Sequence, residues 1–203
     1  LHLDPARPRN SRTHALEEMQ PPLHTVLASW APYFSPTAEG AAALLDLSPR
    51  LTAAQRVEVE EIVDHVWPGI DKLWEWTSRG RGRVDRLALW LGGIASEEVS
   101  RRFVRVPPSL AQMPLVLSTK EEEEPLVCRH HPPKRGEHVS ILDAALIESG
   151  LVSTWLARTA PEDQLRWAST EGRRPQVHHD RPLQMNDDDS WLVQATGKVV
   201  ELL

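Results

Sequence analysis

The chain has 203 residues, 40% of them hydrophobic and 26% charged, so it is long enough to bury a core and too apolar to be wholly disordered. No apolar run approaches about 18 residues, which excludes a transmembrane helix from the sequence. A net charge of −6 argues against a surface that grips phosphate everywhere, while leaving room for a local basic face.

Arginine outnumbers lysine 19 to 4, and tryptophan outnumbers phenylalanine 8 to 2. A GC-rich coding sequence produces both biases, so neither is a functional signal by itself. The single cysteine, Cys128, cannot close an internal disulfide. That fits a reducing compartment such as cytosol, nucleus or organelle matrix. The chain starts at Leu1 rather than Met, as a processed or trimmed product would, and the first 16 residues lack the apolar core of a secretory signal.

Residues 1–36 are rich in Pro, Arg and Ser and are expected to form an extended arm, with one short helix at 23–31. Residues 37–203 are expected to form a single, mostly helical domain. Thr37 is placed to cap a helix to about Leu47. Thr52 and Gln55 form a capping box ahead of Val59, Ile62, Val63 and Val66, which recur at helical spacing. Pro68-Gly69 should divide helices at 52–67 and 69–78. Further helices are expected on either side of Gly92-Gly93.

Residues 107–138 carry six prolines and the acidic run Glu121–Glu124, and are expected to be irregular, with short extended pieces at 115–118 and 126–128. Helices are expected again over 139–170. A polar loop follows at 171–189. Around Thr196-Gly197 the pattern predicts a β-hairpin over 190–203. The fold class expected is therefore mainly α: a helical domain with irregular Pro-rich connections and a small C-terminal β-hairpin.

Four groups of residues carry candidate chemistry. Arg79, Arg81, Arg83, Arg86, Arg101, Arg102 and Arg105 face only Asp85, Glu97 and Glu98 between them. A basic helical hairpin there would suit nucleic acid. Neither Gly92 nor Gly93 as the turn residue satisfies both helices, because Glu98 and Arg101, or Gly92 and Arg102, then fall at apolar positions.

Cys128, His130, His131 and His138, and separately His178, His179 and Asp180, are zinc-ligand types, but they lack the repeated paired spacing of a structural site. Asp187–Asp189 and Glu121–Glu124 are runs without a glycine-turned loop to converge them on a cation. No nucleophile elbow, P-loop, dinucleotide fingerprint or metalloprotease motif occurs. The expectation is therefore no catalytic residues, no bound metal and no cofactor.

Trp67, Trp74, Trp90, Trp155 and Trp167 fall beside apolar faces and read as core. Trp30, Trp76 and Trp191 fit one core less well and are expected as anchors for a partner. The sequence thus predicts a non-enzymatic structural or accessory subunit of a multiprotein assembly, held by other protein subunits and lacking a membrane span. The second expectation is a nucleic-acid-binding protein using the basic hairpin at 79–105.

Overall fold

The computed structural model describes residues 1–5, 16–34, 42–80, 82–109, 111–120, 131–160, 165–169 and 174–201. Among these residues the chain is predominantly β, with ten strands in two sheets and four α-helices. This corrects the expected mainly α domain. The chain divides into two compact units, residues 1–75 with 86–100, and residues 76–85 with 101–203.

The first unit begins with β1 (His2–Leu3), which pairs parallel to β2 (Ala42–Leu47) in the register His2 to Leu44 and Leu3 to Leu45. β2 pairs antiparallel to β4 (Arg86–Gly92), from Ala42 opposite Gly92 to Leu47 opposite Leu87. Beyond β4 lies β3 (Lys72–Ser78), which crosses from the first unit into the second. Amide bonds from Gly92 to Asp71 O and from Asp85 to Thr77 O set β4 antiparallel to β3. β2 and β3 therefore run parallel with β4 between them, and parallel strands need a crossover connection. The helix α2 (Ala53–Val66) supplies it.

Residues 42–47 were expected to be helical, and Ala and Leu do favour helices. In β2, however, Ala43, Leu45 and Leu47 are buried and alternate with half-exposed Ala42, Leu44 and Asp46. Pairing with β4 overrides local propensity here. The expected helix at 69–78 is likewise β3, whose residues 73–76 are all buried. A strand buried on both faces shows no alternation and is easily taken for a helical segment.

The helix α2 forms where the capping box placed it. Thr52 Oγ1 accepts from the Gln55 amide at 3.3 Å, and Gln55 Oε1 accepts from the Thr52 amide at 3.0 Å. The helix α1 (Leu23–Trp30) packs on α2, burying Leu23, Val26 and Leu27.

The second unit takes up β3 from residue 76. Beside it runs β5 (Arg101–Arg105), joined by the Val106 amide to Ser78 O at 2.8 Å. β6 (Leu115–Thr119) pairs antiparallel to β5, with Phe103 opposite Leu117. The expected extended piece at 115–118 is this strand.

A four-stranded antiparallel sheet follows in the order β10-β7-β9-β8. Its strands are β7 (His138–Leu142), β8 (Leu165–Ser169), β9 (Gln176–His179) and β10 (Val193–Lys198). The expected terminal hairpin is absent: Thr196-Gly197 lies inside β10, which pairs with β7 over fifty residues away. The helices α3 (Ala144–Glu148) and α4 (Val152–Thr159) lie in the region expected to be helical, and bury Ala145, Leu146, Val152, Trp155 and Leu156.

Candidate functional site

In the first unit, one face of the strands carries an ion-pair network. His2 and Leu44 are register partners, so Asp46, two residues on from Leu44, shares their face. Asp46 lies opposite Ala88, which puts Arg86 on that face as well. His2 Nε2 lies 2.8 Å from Asp46 Oδ2. Arg86 Nε donates to Asp46 Oδ1, and Arg86 Nη2 donates to Oδ2 at 2.7 Å. Burial pushes the Asp46 carboxyl up. The hydrogen bonds and charges of Arg86 and His2 together outweigh it and hold the group below the usual carboxylate range. Asp46 is an ionised carboxylate, gripped on both oxygens by a guanidinium.

This site borders the carboxyl ends of two parallel strands. β1 ends at Leu3 and passes into Asp4-Pro5, and β2 ends at Leu47 and passes into Ser48-Pro49-Arg50. Asp4 and Arg50 are exposed, and the charge of Asp4 is felt at Arg86. The sequence reading passed over this site. Its members are 40 or more residues apart, and only the pairing of β1, β2 and β4 brings them together.

The second unit holds two buried polar clusters. Asp143 is fully buried and accepts from Ser78 Oγ at 2.5 Å and from the Ala145 amide at 2.8 Å, with Arg105 Nε at 3.8 Å. Arg105 also donates to three carbonyls, those of Trp191, Ser78 and Val106. Gly80 is shaped to this guanidinium. Its φ is +73°, and a Cβ there would lie 2.1 Å from Arg105 Nη2. Gly80→Ala should cost about 1–3 kcal/mol through αL strain and displacement of Arg105. A urea midpoint equal to that of the unaltered chain would show that Arg105 moves aside freely.

The other cluster centres on His179, whose ring stacks on His138 at 5.7 Å. His179 Nδ1 bonds the Arg181 carbonyl, which can only accept, so Nδ1 carries the proton and Nε2 accepts from Ser140 Oγ at 3.0 Å. Both His179 and Ser140 are buried, and this serine–histidine pair serves as a cross-strand hydrogen bond in the sheet.

Burial pushes the His179 imidazole below its ordinary value of 6.5; His138 and His178 add to this, while the Arg181 carbonyl and Asp180 oppose it. His178 is lowered by burial as well, against the charge of Glu137. The folded chain therefore binds fewer protons at these rings than the unfolded chain does. Their contribution is complete above about 6.5 and is lost as pH falls below it toward the folded values. Urea midpoints should drop between pH 7.5 and pH 5.5, and His179→Gln should show a smaller drop. Parallel pH profiles for the two proteins would rule the ring out as a source.

The expected site residues are placed as follows. Among the described residues of 79–105 there is no helical hairpin, because they form β4, β5 and turns. Arg86 is bound to Asp46, and Arg105 lies beside Asp143. Arg101 lies 6.0 Å over the Trp76 ring and donates to Ser149 O at 3.3 Å. Arg102 is half-buried on β5. Arg79 and Arg83 are exposed, with Arg83 Nε 3.8 Å from Asp85. Arg81, Cys128, His130 and Glu121–Glu124 lie outside the described residues, as does the expected extended piece at 126–128.

Trp30 is 49% exposed, with its ring edge-on to exposed Tyr33, while Trp76 is 2% exposed and Trp191 is half-buried. Asp189 is buried, whereas Asp187 and Asp188 are exposed. Among the described residues, no group of three or more His, Cys, Asp or Glu side chains is placed to hold a metal ion. Nor is any described helix long and apolar enough to cross a membrane.

No protein-family model matches the sequence, and no curated protein matches it. The fold is similar to that of a solved chain described as a "putative methyltransferase from Porphyromonas gingivalis W83", with a TM-score of 0.53 and 16% sequence identity. The similarity covers 89% of this chain and 39% of that one, so this chain spans well under half the length of its structural neighbour.

The expectation of a non-enzymatic helical subunit is overturned with its premises. The core is β-rich rather than helical, Trp76 belongs to that core, and the fold resembles part of a chain described as an enzyme. The nucleic-acid alternative loses the helical hairpin on which it was drawn, since the described residues there form strands and turns.

Proposed function

We propose that the chain takes part in methyl transfer, as a section of a methyltransferase-type enzyme. The observation that carries this reading is the likeness of 89% of the chain to part of the Porphyromonas gingivalis protein. The first unit supports it. β1 and β2 are parallel, and the β2-α2-β3 crossover is of the kind that builds open α/β sheets. Such sheets bind ligands outside the carboxyl ends of their parallel strands. Here those ends carry Asp4 and the Ser48–Leu51 turn, in which Ser48 Oγ accepts from the Arg50 amide at 3.3 Å.

A methyl donor is implied by this reading. The described residues offer it one rim of polar groups and no enclosing cradle, so no step is routed through it. What this chain contributes is an exposed carboxylate at Asp4 and a rigid turn leading into α2. Calorimetric titration of the full chain with S-adenosylmethionine tests the reading. Saturable binding, weakened at least tenfold in Asp4→Ala, is expected. Absence of binding at millimolar donor would overturn it.

A further inference from the structure

We infer that His2 is a proton-accepting site, with Nδ1 as its accepting atom and an O–H or N–H group of the substrate as the proton's source. This inference rests on the methyl-transfer reading, since a methyl acceptor of either kind must lose that proton.

The chemistry follows from the hydrogen bonds in order. Arg86 holds both oxygens of Asp46, so the carboxylate is ionised and can only accept. The bond between Asp46 Oδ2 and His2 Nε2 therefore places the ring proton on Nε2. The lone pair is left on Nδ1, and no described residue bonds that atom. The side chain is 59% exposed, so a substrate can reach it.

The ring's charged partner is Asp46 on β2, which Arg86 on β4 holds in turn, while the charges of Asp4, just after β1, and Glu75 on β3 are felt at Arg86. When Nδ1 takes a proton, the resulting imidazolium lies 2.8 Å from a carboxylate already fixed in place. A proton-accepting ring oriented by a third group is an arrangement that suits general-base catalysis. His2 also sits two residues before Asp4, near the carboxyl end of a parallel strand where ligands of such sheets bind.

The step balances simply. The substrate X–H bond breaks, the proton bonds to His2 Nδ1 through the ring's lone pair, and the X–H electron pair stays on X, leaving X as the nucleophile. The proton then leaves the imidazolium for water.

Nitrogen-15 NMR of the full chain tests the inference without turnover. The Nε2–H tautomer is expected for His2, giving way to a mixture in Asp46→Asn. Diethyl pyrocarbonate should modify His2 at Nδ1, and modification should be lost in His2→Gln. An Nδ1–H tautomer, or a ring inert to the reagent, would overturn the assignment.

Transfer of labelled methyl from S-adenosylmethionine into a heat-treated cell extract supplies the second readout. His2→Gln should transfer at least about 100-fold more slowly, the lower end for a lost general base. Donor binding should be unchanged. Undiminished transfer in His2→Gln would overturn the proton-accepting role alone. If the unaltered chain binds no donor while His2 shows the expected tautomer and reactivity, the methyl-transfer reading fails instead.

Discussion

Asp143→Ala is expected to destabilise the second unit by about 3 kcal/mol, read as a fall in the urea midpoint. Breaking a buried ion pair by removing one partner costs about 3–5 kcal/mol, because the other charge is left uncompensated. The lower end applies because Arg105 keeps its three carbonyl acceptors. Two further groups lose their partner: the buried Ser78 hydroxyl, bonded at 2.5 Å, and the Ala145 amide that Asp143 caps at the start of α3. Asp143→Asn preserves the shape and should cost clearly less.

The pH dependence separates these variants. Burial pushes the Asp143 carboxyl above its ordinary value of 3.8, against the opposing pull of Ser78, the Ala145 amide and Arg105. A folded value raised above the unfolded one means that the folded chain holds the proton longer. The stabilisation from this group is complete below about 3.8 and is lost as pH rises through the folded value. The asparagine variant cannot titrate and should lack that slope. An alanine variant within 0.5 kcal/mol of the unaltered chain would mean that water replaces the carboxylate, and the cluster would not be a structural hub.

Local signals were legible where one residue pair decides the structure. Thr52 and Gln55 announced the start of α2, and Pro68-Gly69 its end, with Gly69 at φ +73°. The short helix at 23–31 was visible because Pro21 and Pro22 delimit it.

The β-rich fold was not visible, for a physical reason. In β3 and β4 the residues Leu73, Trp74, Glu75, Trp76, Leu87, Ala88 and Leu89 are all buried. Central strands covered on both faces lose the period-2 alternation that marks a strand. Leu- and Ala-rich segments then default to helix by propensity alone. At Thr196-Gly197 residue types common in turns lie within an extended strand, because β10 finds its partner in β7, a pairing no local pattern encodes.

The candidate site was hidden in the same way. His2, Asp46 and Arg86 are each unremarkable in sequence, and register alone joins them. The seven arginines misled because a shared charge says nothing of shared direction. Arg86 faces a carboxylate on its own sheet, and Arg105 is 12% exposed among backbone carbonyls.

Trp155→Ala is expected to cost about 3–5 kcal/mol, the range for removing a large buried aromatic side chain. Trp155 is fully buried on α4, and its indole N–H donates to Asp189 Oδ1 at 3.0 Å. Asp189 is itself buried and is held by Arg158 and, through its own amide, by Asn186 Oδ1 at 2.7 Å. Truncation therefore opens a cavity and removes one donor from a buried carboxylate at once.

Trp155→Phe separates the two effects. It retains much of the ring volume and loses the N–H, so it should cost about 1–3 kcal/mol, the desolvation penalty of the stranded acceptor. Adding Asp189→Asn to each variant closes the cycle. A coupling above about 0.5 kcal/mol between positions 155 and 189 is expected for residues in direct contact. If the double variants are simply additive, Trp155 stabilises by volume alone. Arg158 would then be the effective partner that keeps Asp189 charged inside the unit, and Arg158→Ala would carry the larger electrostatic loss.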